Sequence, residues 1–400
     1  MTNAQSSFHG NTQSMNSEYS QELRADLRAA IDRICADFPD QYWRDLDRER
    51  AYPEKFVDAL TGTGCLGALI PEEYGGLGLG VGDASVILEQ INANGANAAA
   101  VHAQLYTMGA ILRHGSGEQK EAYLPAIASG ELRLQAFAIT EPTAGTDTTN
   151  ISTTAVRHGD TYVVNGQKVF TSRVQHSDMM LLLARTTPRA EVEKKSKGLS
   201  LFLIDLRGIE GLTVQPIRTM VNHETNQLFF DNMRIPARAL IGEEGDGFRY
   251  VLDGMNAERI LVAAECVGDG RWFIDRVSRY ATERVVFGRP IGANQGVQFP
   301  IARAHVSIEA ADLMRWRAAD LFDAGEDCGA EANMAKLLAS EASWEAANVA
   351  VQFHGGYGFA EEYDIERKFR ETRLYQVAPI STNLILSYVG EHVLGMPRSF

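Results

Sequence analysis

The feature that most constrains this chain is a hydrophobic period that changes twice. From Ser20 to about Arg133 apolar residues recur at helical spacing. From about Ala136 to Ile241 they alternate, and from Gly247 onward the helical spacing returns. A β segment between two helical blocks predicts an α+β fold with segregated layers. Four segments follow: a disordered tail over 1–19, an N-terminal helical domain over 20–135, a middle β domain over 136–245, and a C-terminal helical bundle over 246–400. The total of 400 residues suits two to four domains.

Within the first block Ser20 reads as an N-cap for a helix carrying Leu23, Leu27, Ile31 and Ile34. Pro53 opens a second helix that ends near Gly62. Ala84 to Asn94 and Ala98 to His114 read as deeply packed helices. In the middle block Thr161–Val164, Asn165-Gly166 and Gln167–Phe170 predict a hairpin, because Asn-Gly suits a type I′ turn. Further strands are expected at 179–184, 199–206 and 227–230. The last block predicts helices over 248–287, 299–322, 331–353 and 362–375, with Gly355, Gly356 and Gly358 separating the last two.

Charge and sulfur narrow the function classes. Asp and Glu outnumber Lys and Arg by 52 to 38, a formal charge of −14. Bulk phosphate-backbone binding needs clustered cations and is disfavoured. No apolar run is long enough for a bilayer-spanning helix. The first twenty residues lack both an apolar secretory core and the arginines of a transit peptide. Cys35, Cys65, Cys266 and Cys328 stand far apart, which argues for buried thiols in a reducing, cytoplasmic setting and against zinc or a redox pair. No metal site is expected.

Gly62, Gly64 and Gly67 match G-x-G-x-x-G, but a helix precedes them where a dinucleotide site needs a strand, so they read as turn glycines. No P-loop, G-x-S-x-G or H-E-x-x-H is present. The most distinctive stretch is Phe137-Ala138-Ile139-Thr140-Glu141-Pro142-Thr143-Ala144-Gly145-Thr146-Asp147, a strand that ends in a hydroxyl-rich turn. Taken alone, it reads more naturally as an ordinary turn than as a ligand loop.

That stretch resembles the T-E-P-x-A-G-S-D signature of acyl-CoA dehydrogenases, with Thr146 in place of serine. Three further segments extend the resemblance, in order and nearly ungapped over 20–395. Val164 to Ser172 is similar to N-G-x-K-x-W-I-T, Arg284 to Gln295 to R-x-x-F-G-x-x-I…Q, and Gln352 to Phe359 to Q-x-x-G-G-x-G-F. The resemblance implies a helical domain, a β-barrel-like middle domain and a four-helix bundle, with non-covalent FAD between the last two. It implies flavin contacts from Phe137, Ala138, Ile139 and Thr140, a pyrophosphate contact from Thr146, Ser172 beside flavin N5, and Phe170 in place of the family's tryptophan. Arg284, Phe287, Gln295, Gln352 and Gly356 would hold the FAD of a neighbouring subunit, which implies an oligomer, commonly a tetramer. Ser381 and Asn383 fall in the loop that completes the cofactor site. An electron-transferring flavoprotein is the implied acceptor.

The family's chemistry needs a carboxylate to take the α-proton of an acyl-CoA while hydride leaves the β-carbon for flavin N5, giving a 2,3-enoyl-CoA. Its usual place, twenty-three residues beyond Gly356, is Pro379 here. A minority, the isovaleryl-CoA type among them, carries the base before an arginine and twenty-six residues ahead of the FAD-binding arginine. Glu258 precedes Arg259, and 284 − 258 = 26. Helical angle puts Glu258 with Val251, Met255 and Val262 on the apolar face, but leaves Glu265 on nearly the same side. A structural alternative for Glu258 is an ion pair with Arg259. Thr146, Met255, Asn256, Arg259, Ala378, Pro379 and Ile380 are the implied substrate contacts. Because Pro379 lacks the N–H that binds the thioester oxygen in the family, either Ile380 N–H replaces it or that donor is lost. Pro379 and Phe170 leave a flavin oxidase or monooxygenase, or a CoA-ester-binding protein without turnover, as alternatives. Arg367, Lys368, Arg370 and Arg373 read as a solvated or interface helix paired with Glu366 and Glu371, and His354 as structural.

Overall fold

The structure, a computed structural model, describes residues 5–398, with side chains from Ser20 to Arg398. Six helices come first: α1 (Gln5–Ala36), α2 (Asp40–Glu49), α3 (Glu54–Gly62), α4 (Val81–Ala93), α5 (Ala99–His114) and α6 (Gly117–Ser129). The strands are β1 (Leu134–Ala138), β2 (Thr154–His158), β3 (Thr161–Ser172), β4 (Met179–Arg185), β5 (Leu199–Asp205), β6 (Leu212–Pro216), β7 (Thr225–Pro236) and β8 (Leu240–Ile241). Then come α7 (Gly247–Glu283), a small hairpin of β9 (Val285–Val286) and β10 (Arg289–Pro290), α8 (Gln295–Asp323), α9 (Gly329–His354), α10 (Ile365–Arg373) and α11 (Thr382–Tyr388). Among the described residues no helix is long and apolar enough to cross a membrane. All four cysteines are free and buried.

The expected tail over 1–19 lies partly outside the described residues. The backbone over 5–19 already belongs to α1, so Ser20 is interior to that helix and does not cap it. Among the residues with described side chains, α1 is tied to α4 by Arg24, which pairs with Asp83 at 2.7 Å, and Arg28, which pairs with Glu89 at 3.2 Å.

Eight strands form one sheet in the order β6-β7-β3-β2-β4-β5-β8, with β1 parallel beside β4. The two faces of β4 explain its unbroken apolar run. Met179, Leu181 and Leu183 join the helical core, while Met180, Leu182 and Ala184 join a second core on the other face. The expected hairpin at Asn165-Gly166 is absent. β3 continues through it for twelve residues, and the turn lies earlier, where His158 faces Thr161. Asn165-Gly166 is instead a bulge that shifts the register against β7. A Cβ on Gly166, whose φ is +145°, would lie 2.5 Å from Thr153 Oγ1. Glycine is therefore required by the neighbouring strand rather than by a turn.

In the C-terminal block α7, α8 and α9 pack on one another, α4 and α5 pack on α7, and α10 packs on α9. The α10 cations are not a solvated face. Lys368 Nζ sits 2.6 Å from Asp269 and 2.9 Å from Glu371, and Arg367 bonds Glu371 at 2.9 Å and the Gly95 carbonyl at 3.0 Å. Both cations are buried. The pairing with Glu371 is the one expected along the helix, whereas Asp269 and the Gly95 carbonyl lie far away in sequence, where helix pattern could not find them. Arg370 makes the expected pair with Glu366, at 2.9 Å.

Candidate active site

The distinctive loop is anchored by residues of two different motifs. Glu141, just beyond β1, is buried. Its carboxylate accepts Ser152 N–H at 2.7 Å, Ser152 Oγ at 2.8 Å and Thr153 N–H at 2.9 Å. Lys168 of β3 reaches it from the other side and also donates to the Ile139 carbonyl at 2.7 Å. Val169 N–H donates to the Thr140 carbonyl at 2.8 Å. The scaffold thus holds Phe137 to Thr140 against β3, with Thr146 exposed on the turn beyond.

The surface these residues frame suits a bound ring. Phe170 is 64% exposed although its backbone is left-handed, with φ +58°. A large aromatic held outward on a bent strand needs a cover. Next to it, Thr171 Oγ1 is buried with no hydrogen-bond partner among the described residues. Ser172 Oγ accepts a hydrogen bond from Asn222 at 2.7 Å, which leaves its own O–H to donate. These features fit the isoalloxazine contacts that the sequence assigns to Phe137, Thr140, Phe170 and Ser172.

Glu258 lies on the α7 face turned toward α5 and is 8% exposed. It has no hydrogen-bond or ion-pair partner among the described residues. The expected structural alternative fails: Arg259 Nη1 bonds Asn256 Oδ1 at 2.8 Å and makes no ion pair with Glu258. Burial pushes the Glu258 carboxyl up to about 6, against the pull of His102, Arg259 and Lys336. Glu265, which helical angle could not separate from Glu258, has close partners. His102 Nδ1 lies 2.6 Å from it and Tyr375 O–H donates to it at 2.6 Å. Met255 and Asn256 are half-buried one turn before Glu258.

Four residues at this site were not anticipated. His102 and Tyr106 are one turn apart on α5, their rings 5.2 Å apart, and Tyr106 stacks toward Phe137 at 6.1 Å. Arg173, buried just past β3, and Lys336, buried on α9, supply charge around them. The available signal was polar side chains at helical spacing inside otherwise apolar helices. Lys336, for example, shares a buried face with Ala332, Ala335 and Ala339. Burial lowers the Lys336 amine to about 8. Its Nζ donates to the Ile380 carbonyl at 2.7 Å, fixing the loop that carries Ala378, Pro379 and Ile380. The Ala378–Pro379 peptide is cis. Ser381 caps α11 through Leu384 N–H at 3.3 Å, and Asn383 is exposed.

The remaining expected cofactor residues form a second group at the other end of α7. Arg284 follows that helix, and the twenty-six residues from Glu258 correspond to about 39 Å of axis. Phe287 on the β9–β10 hairpin is fully exposed, Gln295 and Gln352 are exposed, and Gly356 lines a cleft with Tyr280, Arg284, His354 and Tyr357. A Cβ on Gly356 would meet nothing within 4 Å. His354 is structural as expected, bonding the Ala350 carbonyl at 2.7 Å and stacking on Tyr280 at 4.3 Å.

Three family models match the chain: the acyl-CoA dehydrogenase N-terminal domain over 18–131, the middle domain over 136–233 and the C-terminal domain over 245–394. The acyl-CoA dehydrogenase FadE12 of Mycobacterium tuberculosis is 37% identical over 384 residues, 95% of this chain and 98% of that protein. The crystal structure of an acyl-CoA dehydrogenase from Geobacillus kaustophilus has a TM-score of 0.86 at 30% identity, covering 94% of this chain and 98% of the other. The FAD complex of PigA has a TM-score of 0.87 at 27% identity, covering 93% and 97%.

Proposed function

The chain belongs to the acyl-CoA dehydrogenase family, and we propose that Glu258 is the base that takes the α-proton of an acyl-CoA thioester to give a 2,3-enoyl-CoA. The protein is an FAD-dependent oxidoreductase. The observation that carries the base assignment is the contrast between two carboxylates on one helix face. Glu258 is buried and unpartnered, whereas Glu265 is occupied by His102 and Tyr375. A carboxyl held near 6 is ionised at neutral pH yet basic enough to share the α-proton in the transition state. FAD, when bound, takes up the hydride from the β-carbon.

The chain's residues have separate tasks in this reading. Phe137 to Thr140, Phe170 and Ser172 hold the flavin ring and Thr146 the pyrophosphate, with Ser381 and Asn383 completing the cofactor site. Met255, Asn256 and Arg259 border the acyl thioester. Lys336 anchors the loop at Ile380, whose N–H is the donor offered to the thioester oxygen in place of Pro379. Arg284, Phe287, Gln295, Gln352 and Gly356 serve a second copy's cofactor. Their separation from Glu258 supports this, because no single dinucleotide spans both ends of α7. The reading includes a homotetramer and an electron-transferring flavoprotein as acceptor.

The test is anaerobic mixing of the yellow protein with a panel of acyl-CoAs. Bleaching of the flavin is expected with wild type. Glu258→Gln should slow it at least about 10²-fold while FAD and acyl-CoA still bind. Reduction at near wild-type rate would remove Glu258 from its role. Pro379, which lacks the N–H, favours one second reading, an oxidase on the same fold. Stoichiometric hydrogen peroxide after admitting air would select it.

A further inference from the structure

His102 of α5 pairs with Glu265 and, among the neighbouring cations, acts most strongly on Glu258. Glu258 and Glu265 are seven residues apart, two helical turns or about 10.5 Å along the same face of α7. The His102 ring approaches that face from α5, at its Glu265 end. Its Nδ1 is taken by Glu265 at 2.6 Å. Its Nε2 is buried and has no hydrogen-bond partner among the described residues. Tyr375 O–H fixes the second oxygen of Glu265 at 2.6 Å, and Asn92 of α4 donates to the Glu265 carbonyl at 3.2 Å. The clamp therefore leaves the imidazole little freedom and directs its unpaired edge away from Glu265. We propose that His102, held by Glu265 and Tyr375, is a positioning residue whose imidazolium keeps the Glu258 carboxylate ionised and ready for proton abstraction. This rests on Glu258 being the base.

The electrostatics agree with the geometry. Burial opposes charge on His102, but Glu265 outweighs it and holds the imidazole above its ordinary value. For Glu258, burial is the largest influence and raises it; among the groups that pull it back, His102 comes first, ahead of Arg259 and Lys336. The other groups facing the pair are Tyr106 on α5, Arg259 and Glu265 on α7, Lys336 on α9, and Arg173 after β3. Arg259 donates from Nη1 to Asn256 and Lys336 donates to the Ile380 carbonyl; the buried donors left without a partner beside Glu258, among the described residues, are His102 Nε2 and Arg259 Nε.

The experiment is single-turnover flavin reduction across the pH range in the FAD-loaded protein, using the acyl-CoA that bleaches it fastest. Without the imidazolium the base is harder to ionise, so the acid limb of the rate profile moves to higher pH. His102→Gln should reduce flavin about tenfold more slowly than wild type near pH 6, and the deficit should shrink to a few-fold on the alkaline plateau. Glu265→Gln removes the anion that keeps His102 charged, but also a repulsion on Glu258. It should move the limb the same way, by less. Carboxyl infrared difference titration, with Glu258→Gln as blank, should show the same order without turnover. A limb that stays in place while FAD content or plateau rate falls would make His102 structural and overturn the proposal. Should His102→Gln not retain FAD, Glu265→Gln decides alone: a shifted limb supports the proposal and an unshifted one ends it. If instead Glu258→Gln reduces flavin normally, the base assignment itself fails; an inert Glu258→Gln with an unshifted His102→Gln removes only this inference.

Discussion

Lys168 Nζ lies 3.0 Å from Glu141 Oε1, both side chains are buried, and each comes from a different one of the motifs that first pointed to a flavin site. The pair explains why the T-E-P and N-G-x-K segments carry an acid and a base that never need to touch a ligand. They tie the end of β1 to the middle of β3, and the residues proposed to contact the flavin hang from that joint.

Removing one partner of such a pair leaves a buried charge without compensation, at a cost of about 3–5 kcal/mol. Lys168→Met should therefore lose about that much stability by denaturant unfolding and release FAD. The pH dependence has a definite sign. Burial works against the Glu141 carboxylate, but Lys168 and the Ser152 and Thr153 donors outweigh it and hold it at about 2, below the ordinary carboxyl value of 4.5. A depressed carboxyl stabilises the fold above the unfolded value, and that contribution fades as pH falls toward 2. Acid unfolding of Lys168→Met should begin at higher pH than in wild type.

Glu258 has the opposite linkage. Its folded value of about 6 lies above the ordinary 4.5, so the fold binds its proton more tightly than the unfolded chain does. The stabilisation is complete below the unfolded value and is lost as pH rises through 6. Above that, the ionised base costs about 2 kcal/mol. Glu258→Gln should raise stability by that order at pH about 8 and change it little at pH about 4. Equal stability of the two proteins at both pH values would mean that the carboxyl is not held in an unfavourable setting.

Gly166 is fixed by its neighbour. A methyl group there would meet Thr153 Oγ1 at 2.5 Å and Thr153 Cα at 2.7 Å on a backbone with φ +145°. Gly166→Ala should cost about 2–4 kcal/mol by denaturant unfolding. Gly159, with φ +62° and open space around its Cβ position, gives the contrast: Gly159→Ala should cost about 1 kcal/mol. Similar losses in the two variants would put the cost in backbone conformation and not in the close approach.

These cases also mark what the residue pattern could and could not reveal. Period changes located the three structural blocks because buried faces impose them locally. The spacing of Glu258 to Arg284 was readable through the family resemblance, and a single helix, α7, runs from one to the edge of the other. Asn165-Gly166 misled because a bulge and a type I′ turn both demand glycine, and Thr153, which decides between them, is a strand away. Arg367 and Lys368 looked solvated because Asp269 reaches Lys368 from α7, and the Gly95 and Ala96 carbonyls reach the two cations from the α4–α5 connection. Helical angle did not separate Glu265 from Glu258; the spacing to Arg284 favoured Glu258, and the partners His102 and Tyr375 at Glu265 became visible only in the fold.

The separation along α7 leads to a test of subunit sharing. If Glu258 of one copy works with the Arg284 of another, neither an Arg284→Ala chain nor a Glu258→Gln chain builds a complete site with itself. Arg284→Ala should lose FAD on gel filtration, because a cationic partner of the pyrophosphate is gone. Glu258→Gln should keep FAD and stay oxidised with substrate. Coexpressed, the two chains form mixed pairs in which one site of two has both residues intact. Random pairing makes half of the pairs mixed, so flavin reduction should return to about a quarter of the wild-type level. Purified separately and assayed together without subunit exchange, they should remain inactive. Failure to recover any activity on coexpression, with mixed pairs verified by differential tags, would place both ends of the cofactor site in a single chain.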